Sequence, residues 1–418
     1  MSSSTSSSSE GPAAHRGPGR FYPGQPRRFR ELLGQLRPHW RRDPGLPARL
    51  EHLLRRDRRC GARDRRLYRE LLYTTLRYLP WLEPRLDDPP GALEQAVAWL
   101  AADLPSTRAF RAALAGTWPP CPADSAGKAA QLGVDPDAAL PGWLRAECPE
   151  AFVPAQRDAL LSRAPLWLRL PGDSPAAALA EFTERGWTWN RSPILPGAIQ
   201  LAGEADVTAT TAYLQGRVEI QDLGSQLILA SVAPEPGGRW LDACAGAGGK
   251  SLQLAELLGP AGRVEVDDVR PAALLELERR AARAGLAERI SRRPAVPAPY
   301  DGVLVDAPCS GSGTWRRAPH LKWTTTPDRV ANEARRQQAI LEASAPLVRP
   351  GGRLVYATCS LCRSENEDNV RRFLAGRPEF QPAPFARAFG GEPRGAGLIF
   401  WPATHDGDGF FAAALQKK

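Results

Sequence analysis

The stretch Arg239-Trp240-Leu241-Asp242-Ala243-Cys244-Ala245-Gly246-Ala247-Gly248-Gly249-Lys250-Ser251 decides the fold. It reads as a short apolar strand, a turn of small residues and the start of a helix. Glycines in such a turn let backbone approach a ligand closely. Two phosphate-binding motifs fail on spacing. A P-loop needs glycine where Cys244 stands, and a dinucleotide fingerprint counted from Gly246 and Gly248 needs glycine at Ser251. The next apolar run, Val264-Glu265-Val266-Asp267-Asp268, puts carboxylates about 20 residues on, where one could reach ribose hydroxyls.

Outward from this stretch, strand and helix patterns alternate. Strands are expected at 239–243, 263–267, 300–306 and 353–357, with a late strand at 409–415. Helices are expected at 250–258, 272–284, 328–345 and 365–374; Thr326 suits the N-cap of the third and Pro327 its first position. This alternation predicts a doubly wound α/β sheet over residues 216–418.

Two of those strands run into cysteines. One is Val305-Asp306-Ala307-Pro308-Cys309-Ser310-Gly311-Ser312-Gly313, the other Leu354-Val355-Tyr356-Ala357-Thr358-Cys359-Ser360. Two thiols delivered to strand ends of one sheet suggest covalent chemistry. The pattern alone does not rank Cys309 against Cys359. The other five cysteines fit no disulfide framework or zinc spacing, so Cys60, Cys121, Cys148 and Cys362 read as small buried apolar groups in a reduced, cytoplasmic protein. Cys244 would only line the glycine-rich loop.

The 418 residues carry a formal net charge of +9, and 43% are hydrophobic. No apolar run is long enough for a membrane span, and the start lacks the apolar core of a secretory signal. Only five of the basic residues are lysines, and two of them, Lys250 and Lys322, fall inside candidate motifs. Residues 1–25 are rich in Ser, Gly and Pro and read as a disordered tail. Residues 26–150 show helical spacing, as in Leu67, Leu71, Leu72, Thr75 and Leu76. Between Arg27 and Glu70 stand 15 arginines and six acidic residues, a field suited to RNA phosphates. Arg55, Arg56, Arg58, Arg59, Arg65 and Arg66 are the candidate contacts. Residues 151–215 mix a strand-like run near Trp167, a helix at 176–185 and short strands near Trp187 and Ile199, a small α+β lead-in.

Residues 165–416 resemble the RNA cytosine-5 methyltransferases that use S-adenosylmethionine. The resemblance rests on the loop 242–250, the Pro308-Cys309-Ser310 and Thr358-Cys359-Ser360 segments, and supporting matches. These are Ile220-Gln221-Asp222-Leu223-Gly224-Ser225-Gln226, Arg316-Arg317-Ala318-Pro319-His320-Leu321-Lys322-Trp323, Ser364-Glu365-Asn366-Glu367 and Asp408-Gly409-Phe410-Phe411. It implies a Rossmann-like fold with Cys244, Ala245, Gly246, Ala247, Gly248, Gly249, Lys250, Asp268 and Asp306 around the cofactor. It implies Cys359 as nucleophile toward cytosine C6, Cys309 as helper in product release, Asp306 at the cofactor and the N3 edge of the base, and Lys250 as its neighbour. No metal is implied, and a monomer is expected. Two departures stand out: Ala247 replaces a common proline, and 290–294 lacks the acid that members place beside adenine. The N-terminal region, with Arg65-Arg66-Leu67-Tyr68-Arg69-Glu70-Leu71-Leu72, resembles the antitermination-factor-like RNA-binding domain of the bacterial 16S ribosomal RNA methyltransferase B branch. Ribosomal RNA is therefore the expected substrate. Transfer RNA, and a non-catalytic RNA-binding assembly role, are the alternatives.

Overall fold

In the computed structural model, residues 20–57, 60–172, 175–295 and 299–418 are described. Most of the expected tail, together with Arg58 and Arg59, lies outside them. Residues 20–25 do not continue a tail. Phe21 packs against Phe110 with ring centroids 6.2 Å apart, and the first helix opens at Gln25 (Gln25–Leu36). One aromatic side chain in a polar stretch is enough to dock it.

Helices follow at Leu46–Arg56, Ala62–Arg77, Ala92–Leu100, Arg108–Ala115, Ser125–Leu132 and Pro154–Leu161, with shorter turns between. Each carries an apolar stripe. Phe29, Leu32, Leu33 and Leu36 from the first meet Leu50, Leu54, Leu67 and Leu71 in one core. A fully buried aliphatic or aromatic side chain contributes roughly 1.5–3 kcal/mol, so these faces hold the bundle together. The helices run past 150 to Leu161, because Leu160 and Leu161 are buried in that core.

A four-stranded antiparallel sheet comes next: β1 Leu166–Arg169, β2 Trp189–Arg191, β3 Ala198–Leu201 and β4 Glu219–Ile220, in the order β2-β3-β1-β4. It extends beyond 215, because β4 pairs with β1 through Leu168 and Arg169. The helix Ala176–Glu184 covers it through Ala178, Leu179 and Phe182.

The large sheet holds β5 Arg239–Asp242, β6 Arg263–Val266, β7 Ile290–Arg292, β8 Tyr300–Asp306, β9 Val348–Thr358, β10 Phe380–Pro382, β11 Glu392–Arg394, β12 Gly397–Phe400 and β13 Phe410–Lys417. Its order is β11-β12-β13-β9-β8-β5-β6-β7, with β10 also on β13. The strands from β7 to β9 pair in parallel; those beyond β9 are antiparallel. Val303, Leu304 and Val305 of β8 are wholly buried, as parallel strands covered on both faces require. The expected α/β alternation is present. The helix predicted from Thr326 and Pro327 runs Pro327–Ser344, and Thr326 Oγ1 accepts from Arg329 N at 3.2 Å.

The order in which strands are added reverses at β5, with β6 and β7 on one side and β8 and β9 on the other. In open α/β sheets a ligand crevice forms at the C-terminal ends of strands at such a point. The helical region docks near this edge. Trp323 Nε1 donates to Leu76 O at 2.6 Å and Lys322 Nζ to Arg77 O at 2.7 Å. Lys322 is thus buried at the C-terminus of helix Ala62–Arg77, and burial, with the nearby Arg77 charge, pushes its pKa well below the ordinary lysine value.

Candidate active site

The C-terminal ends of β5, β6 and β8 surround a cavity of about 530 Å³. Ala243, Cys244, Ala245, Gly246, Ala247, Gly249 and Lys250 line it from the loop after β5, Asp268 from the end of β6, and Asp306 from the end of β8. Gly248, expected to contact the cofactor, does not line it. Its backbone is left-handed (φ +89), and a Cβ there would meet Leu277 Cγ at 2.7 Å. It lets the loop pack on the helix Pro271–Arg283 instead. Ser225, Val269, Arg270, Pro308, Arg336 and Ile340 complete the lining, and the sequence reading does not name them as site residues. Arg336 and Ile340 are four apart on helix Pro327–Ser344, so helical spacing could pair them on one face.

Two carboxylates face this cavity, Asp268 and Asp306. Asp268 Oδ2 accepts from Gly246 N at 2.8 Å, and the Arg270 guanidinium pairs with both its oxygens at 2.9 Å. Those bonds, with Arg270 first, hold its pKa below the ordinary carboxylate value. Asp267 instead pairs with Arg293 at 3.1 Å. Thus 290–294 supplies no acid to the cavity and spends an arginine outside it. Deeper, Asp242 accepts from Ser251 Oγ at 2.7 Å; burial pushes its pKa up to about 7. The glycine backbone, the ionised Asp268 and the apolar Val269 and Ile340 fit a nucleoside with a ribose diol.

The two cysteines meet beside this cavity. β8 and β9 are adjacent, parallel and aligned at their ends, with Asp306 opposite Ala357. Each chain then turns, and Cys309 Sγ lies 3.3 Å from Cys359 Sγ. Gly313 N donates to Cys359 O at 2.9 Å, and a Cβ on Gly313 would strike the Gly409 carbonyl. Only glycine allows the two loops and the 409 turn to approach this closely. All seven cysteines are free thiols. Lys250 Nζ donates to Asp306 Oδ2 at 2.8 Å and lies 5.0 Å from the Phe410 ring.

The thiols are not equivalent. The hydrogen bond from Cys309 holds the Cys359 thiol below its ordinary pKa, and the nearby Lys250 charge acts the same way. That bond and burial push Cys309 well up. Cys359 is thus the more acidic thiol of the pair, and Cys309 the one that holds its proton more tightly. Cys362 is raised by burial and Cys244 likewise, so neither is poised to react.

A doubly wound sheet with a carboxylate at the end of β6 facing the cavity, and the family and relatives it matches, define an S-adenosylmethionine-dependent RNA methyltransferase. Residues 229–416 match the family described as 16S rRNA methyltransferase RsmB/F. Ribosomal RNA small subunit methyltransferase B of Xanthomonas campestris is 34% identical over 296 residues, a match that spans 67% of each chain. The chain belongs to the 16S ribosomal RNA methyltransferase RsmB/F family. Among solved structures, PH0851 covers 96% of this chain and is itself covered completely, at TM-score 0.69 and 22% identity. NSun6 from Pyrococcus horikoshii, solved with SFG, covers 66% of this chain and matches over 96% of its own, at TM-score 0.59 and 20% identity. Both show the same fold. No helix among the described residues is long and apolar enough to cross a membrane.

Proposed function

We propose that this protein methylates C5 of a cytosine in ribosomal RNA through a covalent adduct between Cys359 and C6 of the base. The observation that carries this reading is the Cys309–Cys359 pair, 3.3 Å apart beside the cavity that holds Asp306 and Lys250. Cytosine C5 is a poor nucleophile. Addition of the Cys359 thiolate to C6 forms an S–C6 bond and moves the C5=C6 electrons onto C5, with Asp306 placed to act at N3. S-adenosylmethionine, held by the 243–250 loop and Asp268, supplies an electrophilic methyl group when bound. Transfer of the C5 proton to water then returns the C–H electron pair to C5=C6 and breaks S–C6, so that Cys359 leaves as the thiolate. Cys309 then donates its hydrogen bond to the departing thiolate, which stabilises that leaving group. Lys250 keeps Asp306 oriented through their 2.8 Å contact.

RNA contact has its own support. A cleft of about 600 Å³ is lined by Arg66, Arg69, Arg77, Arg163, Arg316 and Arg317, with Tyr73 and Trp167. Arg316 and Arg317 continue the loop that carries Cys309 and pair with Asp406 and Asp408, and Glu70, Glu204, Asp206 and Asp222 also line the cleft, so its basic excess rests mainly on Arg66 and Arg69. Arginines supply phosphate affinity and aromatic rings can stack on bases. Of the arginines named from sequence, Arg66 lines this cleft, whereas Arg55 pairs with Glu51 and Arg65 donates to Cys60 O.

Bisulfite sequencing of total RNA from a strain lacking the gene tests the proposal. One cytosine in the small-subunit ribosomal RNA should lose its methyl group and regain it when the wild-type gene, but not the Cys359→Ala form, is restored. Loss confined to transfer RNA would replace the substrate assignment, and no loss in any RNA would contradict the activity.

A further inference from the structure

Beneath the two thiols lies a buried carboxylate with no part in the chemistry above. Glu365 is wholly buried, in the turn Arg363–Glu365 after β9. Its Oε1 accepts from Ser310 N at 2.7 Å and Gln337 Nε2 at 3.0 Å. Its Oε2 accepts from Ser310 Oγ and Ser360 Oγ, each at 2.5 Å. Ser310 directly follows Cys309, and Ser360 directly follows Cys359. One side chain therefore grips both cysteine loops at the residue next to the thiol.

The same grip extends sideways. Gln337 Nε2 also donates to Pro308 O at 2.9 Å, the residue before Cys309. Tyr356 OH lies 3.0 Å from Gln337 Oε1 and 2.5 Å from the Glu365 carbonyl oxygen, within reach of either for its single proton. A buried carboxylate costs free energy unless donors satisfy it. These four donors are neutral, and apolar side chains of similar volume would fill the space at less cost. What apolar residues would not supply is directional bonds that fix two loops against each other.

We propose that Glu365 is a positioning residue that sets the separation of Cys309 and Cys359, so that one thiol can serve the other during a single turnover. This rests on the two-cysteine mechanism proposed above for its functional meaning. Glu365 does not line the cofactor cavity, so its effect should fall on the thiol pair and not on cofactor affinity.

The test uses the full chain carrying Glu365→Gln, which keeps size but replaces one accepting oxygen with an NH₂ group, so the groups on that side must turn to accept or lose their bond. A second variant, Ser310→Ala/Ser360→Ala, removes one hydroxyl bond from each loop and leaves the carboxylate. Dibromobimane, which fluoresces when it bridges two thiols, reads the pair directly without RNA; Cys309→Ala sets the background. Bridging should slow by about tenfold in Glu365→Gln and less in the serine variant. Weaker bonding at a charged group should lower kcat about 10- to 100-fold, with KM for RNA and cofactor affinity held within about twofold. If Glu365→Gln does not fold, the serine variant decides alone. Bridging and kcat both at wild-type levels would overturn the proposal. Because bridging needs no RNA, slower bridging together with a Cys309→Ala protein that traps no RNA adduct would retire the covalent mechanism and keep the clamp. Unchanged bridging beside the expected adduct in Cys309→Ala would retire the clamp alone.

Discussion

Cys309 and Cys359 stand 50 residues apart in sequence, yet their sulfurs lie 3.3 Å apart. Adjacent parallel strands with aligned ends bring them together, and hydrogen bonding between them makes one thiol acidic at the other's expense.

That asymmetry predicts a pH effect. In wild type the Cys309 S–H stabilises the Cys359 thiolate, so the Cys359 pKa sits below its ordinary value. Cys309→Ala removes the donor and should move the pKa upward. At neutral pH the thiolate fraction then falls, and alkylation of Cys359 by iodoacetamide slows. The midpoint of the alkylation rate against pH, followed by peptide mass spectrometry, should rise in the mutant. An unchanged or lower midpoint would contradict the proton arrangement.

Asp268→Ala should weaken S-adenosylmethionine binding. Hydrogen bonds to a charged group are worth roughly 1.5–3 kcal/mol, which corresponds to about 10- to 150-fold in affinity. Asp267→Ala should do far less, since Asp267 pairs with Arg293 away from the cavity lining. Calorimetry on both variants separates them, and equal effects would place the ribose contact elsewhere.

The basic cleft should reveal itself through salt. Arg66→Gln and Arg69→Gln together should weaken binding of a ribosomal RNA fragment and flatten the plot of log affinity against log salt. The slope should change by roughly 0.7–0.9 for each phosphate that the protein no longer neutralises. Arg279→Gln, at an exposed position on helix Pro271–Arg283, serves as the control and should leave the slope alone. Identical slopes for all three proteins would remove the cleft from the RNA path.

Much of the large sheet is readable in the sequence because burial on both faces leaves apolar runs such as Gly302-Val303-Leu304-Val305. Short strands at the edge are not. β11 and β12 are three and four residues long, and their pairing depends on β13 further along the chain. Residues next to strand ends, such as Lys250, Asp268, Asp306 and the two cysteines, can be placed because chain order predicts which edge they share. The packing role of Gly248 against Leu277 is not readable, because a glycine that serves packing looks the same in sequence as one that serves a ligand. The polar network is illegible for another reason. Glu365 and Gln337 are 28 residues apart on different elements, and nothing local in either segment announces their contact.

The most direct test of the central claim is a denaturing gel of Cys309→Ala incubated with ribosomal RNA and S-adenosylmethionine. Release of the product needs the Cys309 hydrogen bond, so this variant should trap a protein–RNA adduct that appears as a shifted band. Cys309→Ala/Cys359→Ala should show none, and Cys359→Ala should neither form an adduct nor transfer methyl groups while still binding cofactor. An adduct that survives removal of Cys359 but requires Cys309, or near-normal methyl transfer by Cys359→Ala, would contradict the assignment of Cys359 as the nucleophile.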